Sequence, residues 1–279
     1  MTQNFSGGAG DPLVAQGFGS WTQAVARTVV RSAWPLLRLH LLLVAVLLVP
    51  AAVSAGLLFA SGFSLSDGHV PDGGKVYLVV ALVLVFVSLT AWAGFAAGAS
   101  VAVVVLDAAG EPQSVRKALP VAWRRCLPML LMGLAGGILA VVGLICLVLP
   151  GIWVMVVLNA ALSGAVVVEG RGIARSFELV SRRFWVTFGR LFFGWFVGQA
   201  LYLVVSVGAQ LGASQVHTTT GSWMATVLFG IVIALPTMAA MWFVGLILPT
   251  ATSVVTYAEL RGHHGPGTST ALLAAEMTR

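Results

Sequence analysis

Residues 151–183, GIWVMVVLNAALSGAVVVEGRGIARSFELVSRR, change character once, at Glu169. Positions 152–168 carry no charge, whereas Arg171, Arg175, Arg182 and Arg183 crowd into the residues that follow. A membrane-crossing helix needs an uncharged apolar run, and the loops left on the cytoplasmic side keep Lys and Arg. This stretch therefore reads as the end of one span followed by an inner-side basic segment.

The same alternation organises the whole chain. Of the 15 Lys and Arg residues, all but Lys75 fall within 27–38, 116–125, 171–190 and 261–279, and apolar runs separate these clusters. Six spans are predicted, at about 36–60, 76–106, 128–148, 152–168, 191–212 and 223–257. Pro236 and Pro249 should kink the last of them. The loops on the other side hold Asp67, Asp72 and Lys75, so both termini are expected in the cytoplasm and the basic clusters on the inner face. Arg31, Arg38, Pro50 and Val53-Ser54-Ala55 imitate a cleavable signal. The apolar run continues past them to Ala60, which favours a retained span.

Composition agrees. The 279 residues are 59% hydrophobic and 9% charged, where a soluble domain has roughly 25% charged residues. The net charge of +6 sits beside apolar spans, so its natural partner is anionic lipid headgroups and not nucleic acid. Cys126 and Cys146 lie at opposite ends of one predicted span, too far apart to pair.

Residues 1–19 are Gly-rich and read as disordered, 20–261 as one helical membrane domain, and 262–279 as a cytoplasmic tail. Before each pair of spans stands a basic amphipathic segment. In 171–188, Arg171, Arg175, Glu178 and Arg182 share one helical face, and Ile173, Phe177, Val180, Phe184 and Phe188 share the opposite one. Such a helix lies flat among headgroups, or else packs against its own protein. The first reading makes Arg116, Lys117, Arg171, Arg175 and Arg182 candidate lipid-surface contacts. The exits of the three pairs also match: Ser100-x-x-Val-Val-Val with Asp107, Ser163-x-x-Val-Val-Val-Glu169, and Ser253-Val-Val with Glu259. The expected fold is thus all-α, with three hairpins, each preceded by an interfacial helix, in a threefold repeat. Gly94-x-x-x-Gly98, Gly133-x-x-x-Gly137, Gly194-x-x-x-Gly198 and Gly208-x-x-x-Gly212 are candidate helix-packing faces.

Several short motifs occur in a familiar order. Leu149-Pro150-Gly151-Ile152-Trp153, Glu169-Gly170 and Ala174-Arg175-Ser176-Phe177 are followed by Phe184-Trp185. Near the end stand Tyr257-Ala258-Glu259-Leu260-Arg261 and Leu272-Leu273-Ala274-Ala275-Glu276. The series resembles the bacterial membrane-domain family named for glycerophosphoryl diester phosphodiesterases. That resemblance implies a stand-alone integral membrane protein of the bacterial cytoplasmic membrane, without the soluble catalytic barrel and without an inherited substrate.

No HExxH, GxSxG or Walker motif is present, and His263-His264 has no further ligand beside it in sequence. No catalytic residue, cofactor or metal is therefore expected. Asn159, Gln199 and Gln210 are polar residues within spans, suited to interhelical hydrogen bonds or to a cavity wall. Glu169 stands six residues before Arg175 and could pin the basic segment to the bundle. The expected function is that of a non-catalytic scaffold or partner subunit of another membrane protein. A transporter or permease component for a small or lipidic substrate is the alternative.

Overall fold

A computed structural model describes residues 11–15, 17–62, 71–220, 223–264 and 267–279, and among them the chain is helical without strands. The elements are α1 (Phe18–Ala60), α2 (Lys75–Ala108), α3 (Ser114–Cys146), α4 (Val148–Val157), α5 (Ile173–Ser181), α6 (Phe184–Thr220), α7 (Trp223–Trp242), α8 (Leu248–His264) and α9 (Thr270–Thr278). Wider π-helical turns, Leu158–Leu162 and Ala165–Glu169, extend α4, and another, Phe243–Ile247, joins α7 to α8. Asp67 lies outside the described residues.

Among the described residues, five helices are long and apolar enough to cross a membrane: Phe18–Ala60, Asp72–Ala108, Ser114–Cys146, Phe184–Gly212 and Val232–His264. Their most apolar windows are only 6% to 17% buried. Facing water, such surface would cost about 25 cal/mol per Å². Facing lipid tails it costs nothing, so these helices are those of a multi-pass membrane protein. The expected fourth span corresponds to a shorter apolar helix, Val148–Leu162.

The interior is concentrated at the basic end of the bundle. Val103, Val104, Val105 and Leu106 of α2 lie against Val166, Val167 and Val168 and against Val254, Val255 and Ala258 of α8, all fully buried. These are the three segments whose sequences match at the exits. Ser163 and Ser253, which hold equivalent positions in two of those segments, meet Oγ to Oγ at 3.0 Å. Gly164 permits a close approach of α8: a Cβ there would stand 2.3 Å from the Tyr257 ring.

Separate interfacial helices before the first two hairpins are not what forms. The segment expected at 21–33 runs without a break through Pro35 into α1, and α3 likewise runs through Pro128. In α1 the cause is one unbroken buried stripe, Trp21, Val25, Thr28, Ser32, Leu36, Leu39 and Leu43, on both sides of the proline. Packing along this face outweighs the hydrogen bond that Pro35 removes. With 43 residues, α1 is about 64 Å long against a hydrocarbon core of about 30 Å, so it continues well beyond the bilayer.

Only the third segment makes its own helix, α5, and its apolar face meets the protein. Leu179 and Val180 are fully buried, and the Phe177 and Phe184 rings pack edge-on against Trp153 at 5.3 and 6.2 Å. The helix is continuous across Pro236, while a π turn precedes Pro249, whose missing N–H disturbs the ladder at that point. Beyond the expected fifth span, α6 continues as helix to Thr220, across most of the predicted loop.

Of the segment expected to be disordered, residues 1–10 and 16 lie outside the described residues, and residues 11–15 pack against the rest of the chain. Leu13 is fully buried, and Asp11 accepts hydrogen bonds from Leu13 N, Val14 N and Thr270 N. The expected tail folds as α9, capped by Ser269, with Leu273 and Met277 in the core. Gly94 and Gly98 face α3, and Gly194 and Gly198 face α8 and the π turn before it. Gly133 and Gly137 face open space, and Gly136 instead seats Leu158.

Candidate functional site

The polar residues of the basic end form three groups, one at each exit acid. At the first, Asp107 accepts from Arg31 Nε at 3.1 Å and from Ser32 Oγ at 2.7 Å. At the third, Glu259 and Arg190 form an ion pair with side chains only 1% and 5% exposed. The Arg190 guanidinium also lies over the Trp21 ring, whose indole N–H donates to Thr256. His263 Nε2 stands 3.6 Å from Glu259 and 2.9 Å from Arg183 Nη1.

The second group is the largest. Glu169 ends the π turn after α4, where Gly170 turns the chain with φ +68°. Arg175 Nε donates to Glu169 Oε2 at 2.9 Å, Tyr257 O–H donates to Oε1 at 2.8 Å, and Arg261 Nε approaches Oε1 at 3.8 Å. Arg261 in turn reaches Glu276 of α9 at 2.6 Å, and Arg175 reaches Glu178 at 2.9 Å. One carboxylate thus ties α4, α5 and α8 together, with α9 one step away. Hydrogen bonding to Arg175, reinforced by its charge, lowers the Glu178 carboxyl below its ordinary value. Burial works against the Arg175 charge, but Glu178 and Glu169 outweigh it and raise its pKa.

Beside this network is a cavity of about 470 Å³ lined by Arg125, Glu169, Arg171, Arg175, Arg261, Glu276 and Arg279. Gly170 seats Arg125 there: a Cβ at Gly170 would lie 2.6 Å from Arg125 Nη1. A second cavity, of about 370 Å³, opens between α4, α6 and α8. Its wall is mostly apolar, including Ile152, Phe188, Trp195 and Val244, with Asn159, Gln199 and Thr252 as its polar groups.

The candidates read from the sequence divide accordingly. Arg171 and Arg175 line the basic cavity, and Arg175 is committed to two carboxylates. Arg182 is exposed at the turn between α5 and α6, and Arg116 is exposed in the first turn of α3. Lys117 pairs with Glu111 at 2.5 Å. Asn159 and Gln199 both line the apolar cavity, and Asn159 also donates to Met155 O at 2.8 Å. Gln210 is exposed further along α6 and joins neither cavity.

Sequence reasoning missed the partners Arg125, Tyr257, Arg261 and Glu276. Their signal was present, since Tyr257, Arg261 and Glu276 belong to the two motifs near the chain end. Among the described residues, no group of His, Cys, Asp and Glu could hold a metal ion. No family model, no curated protein and no solved structure matches this chain.

Proposed function

We propose that the chain is a non-catalytic scaffold or partner subunit of the bacterial cytoplasmic membrane, threaded six times with both termini inside. In this reading Val148–Glu169 completes the fourth crossing, and α1 with α2, α3 with α4, and α6 with α7 and α8 form three hairpins. The observation that carries it is the convergence of three matching helix ends on one core. Val104, Val167 and Val255 are fully buried there, and Asp107, Glu169 and Glu259 clamp the rim with arginines. A closed, clamped end presents a fixed surface to a partner, whereas alternating access would require the core to open. The kinship with the phosphodiesterase membrane-domain family rests on the motif series alone and lends no activity.

The test uses single cysteines at Val104, Val167 and Val255, with Cys126 and Cys146 replaced by alanine. A scaffold leaves all three unreactive toward a membrane-impermeant maleimide applied from either side. Labelling from either side would reveal a water path and overturn the reading.

That result would favour the transporter alternative, for which the apolar cavity bearing Asn159 and Gln199 is the supporting observation. Its dimensions and lining suit an apolar chain with a small polar group. In that case Asn159→Leu and Gln199→Leu should change the rate at which the core cysteines are labelled.

A further inference from the structure

We propose that the basic cavity between α3, α5, α8 and α9 binds a phosphate group, whether free or carried by a phospholipid. The claim stands on the cavity's own residues and is independent of the scaffold reading. Five arginines line the cavity against two glutamates. Both glutamates are engaged: Glu169 holds Arg175 and Tyr257, and Glu276 holds Arg261. They fix the direction of those two guanidinium groups. Arg125, Arg171 and Arg279 have no ion pair or side-chain hydrogen bond among the described residues.

Arg125 is half-buried and Arg171 and Arg279 are exposed, so all three guanidinium groups are free to meet an anion, which would be attracted by each of them. Each offers a planar fork of N–H donors that matches two oxygens of a phosphate. The protein gives up a side chain at position 170 so that Arg125 can sit there, and the backbone turn at φ +68° suits glycine best. Gly172, at the start of α5, brings no side-chain cap to that helix, and the positive end of its dipole lies beside Arg171 and Arg175. A carboxylate would satisfy one fork, whereas a phosphate presents oxygens in several directions to arginines arriving from α3, α5 and the end of α9.

The full-length protein, in uncharged detergent, is titrated with inorganic phosphate by calorimetry. In parallel, it is reconstituted in nanodiscs of phosphatidylcholine with or without phosphatidic acid, and retained lipid is counted by native mass spectrometry. Saturable binding in either arm, weakened at least tenfold by Arg171→Gln, is the expected result. Arg171 is exposed, so this variant should keep the wild-type melting temperature. Arg27→Gln removes an exposed charge that lies outside the cavity and should leave binding unchanged. Response of the detergent arm identifies soluble phosphate, and response of the nanodisc arm alone identifies a lipid headgroup. Absence of saturable binding in both arms would overturn the proposal. So would equal weakening by Arg171→Gln and Arg27→Gln, which would mean a diffuse charge effect.

Discussion

Ser163 and Ser253 stand in equivalent places of two matching segments and touch at 3.0 Å between their hydroxyl oxygens. Residues that correspond within a repeat meet where the repeats meet. The contact therefore marks the line along which the ends of α4 and α8 come together, beside the buried Ser100 of α2.

A direct consequence concerns cross-linking. With Cys126 and Cys146 replaced by alanine, the Ser163→Cys, Ser253→Cys double variant should form an intramolecular disulfide under mild oxidation, because the side chains already meet. Protein cut between α6 and α7 would then run as one band without reductant and as two with it. Two bands under both conditions would contradict the convergence.

Glu259 and Arg190 should matter more to stability than any other pair. Removing one partner of a buried ion pair strands the other charge, at a cost of about 3–5 kcal/mol. Glu259→Gln should therefore lower the unfolding midpoint in detergent far more than Glu111→Gln. The Lys117 and Glu111 side chains are 48% and 43% exposed, and pairs of that kind contribute about 1 kcal/mol or less. Similar midpoints for the two variants would refute the assignment.

Gly164 is a packing position. In Gly164→Ala the added methyl would fall 2.3 Å from the Tyr257 ring, which has no free end to move aside. Overpacking of this kind costs about 1–3 kcal/mol, and it should also loosen the bond from Tyr257 to Glu169. Thermal unfolding and hydrogen exchange at the Tyr257 amide would report both effects, and an unchanged midpoint would count against the close approach.

The Glu178 carboxyl is lowered below its ordinary value of 4.5 by Arg175. A depressed folded-state pKa stabilises above the unfolded value and is lost as pH falls through the folded one. Carbon-13 NMR should find Glu178 still ionised somewhat below pH 4.5, and Arg175→Gln should move its titration back up. Identical titrations in the two proteins would mean that the pair does not form in solution.

Much of the fold was legible because lipid imposes a simple rule. Uncharged runs of adequate length form long apolar helices close to where hydropathy placed them, whereas many of the basic residues that precede them lie within those same helices, α1, α3 and α6. The matched exits suggested a repeat, but a linear pattern could not say that these segments meet in one core. The basic segments before the first and third predicted spans were expected to form separate helices, but they run through Pro35 and Pro128 into α1 and α3, because a local pattern carries no information about the tertiary stripe that holds a helix together. Residues 171–188 were expected to turn an apolar face to lipid or to protein, which periodicity cannot tell apart, and in the fold Phe177 packs against Trp153. Arg175 therefore turned inward to Glu169. The cavity arginines come from elements far apart in sequence, and only the fold gathers them.

The threading itself is tested most directly by comparing two single cysteines, Leu147→Cys and Ala174→Cys, both at exposed positions on either side of α4. A membrane-impermeant thiol reagent is applied to intact cells and then to permeabilised ones. The account predicts that Cys at 147 is labelled in intact cells and that Cys at 174 is labelled only after permeabilisation. Labelling of both positions from the same side would show that Val148–Glu169 does not cross, and six crossings with an inward-facing basic end would be wrong.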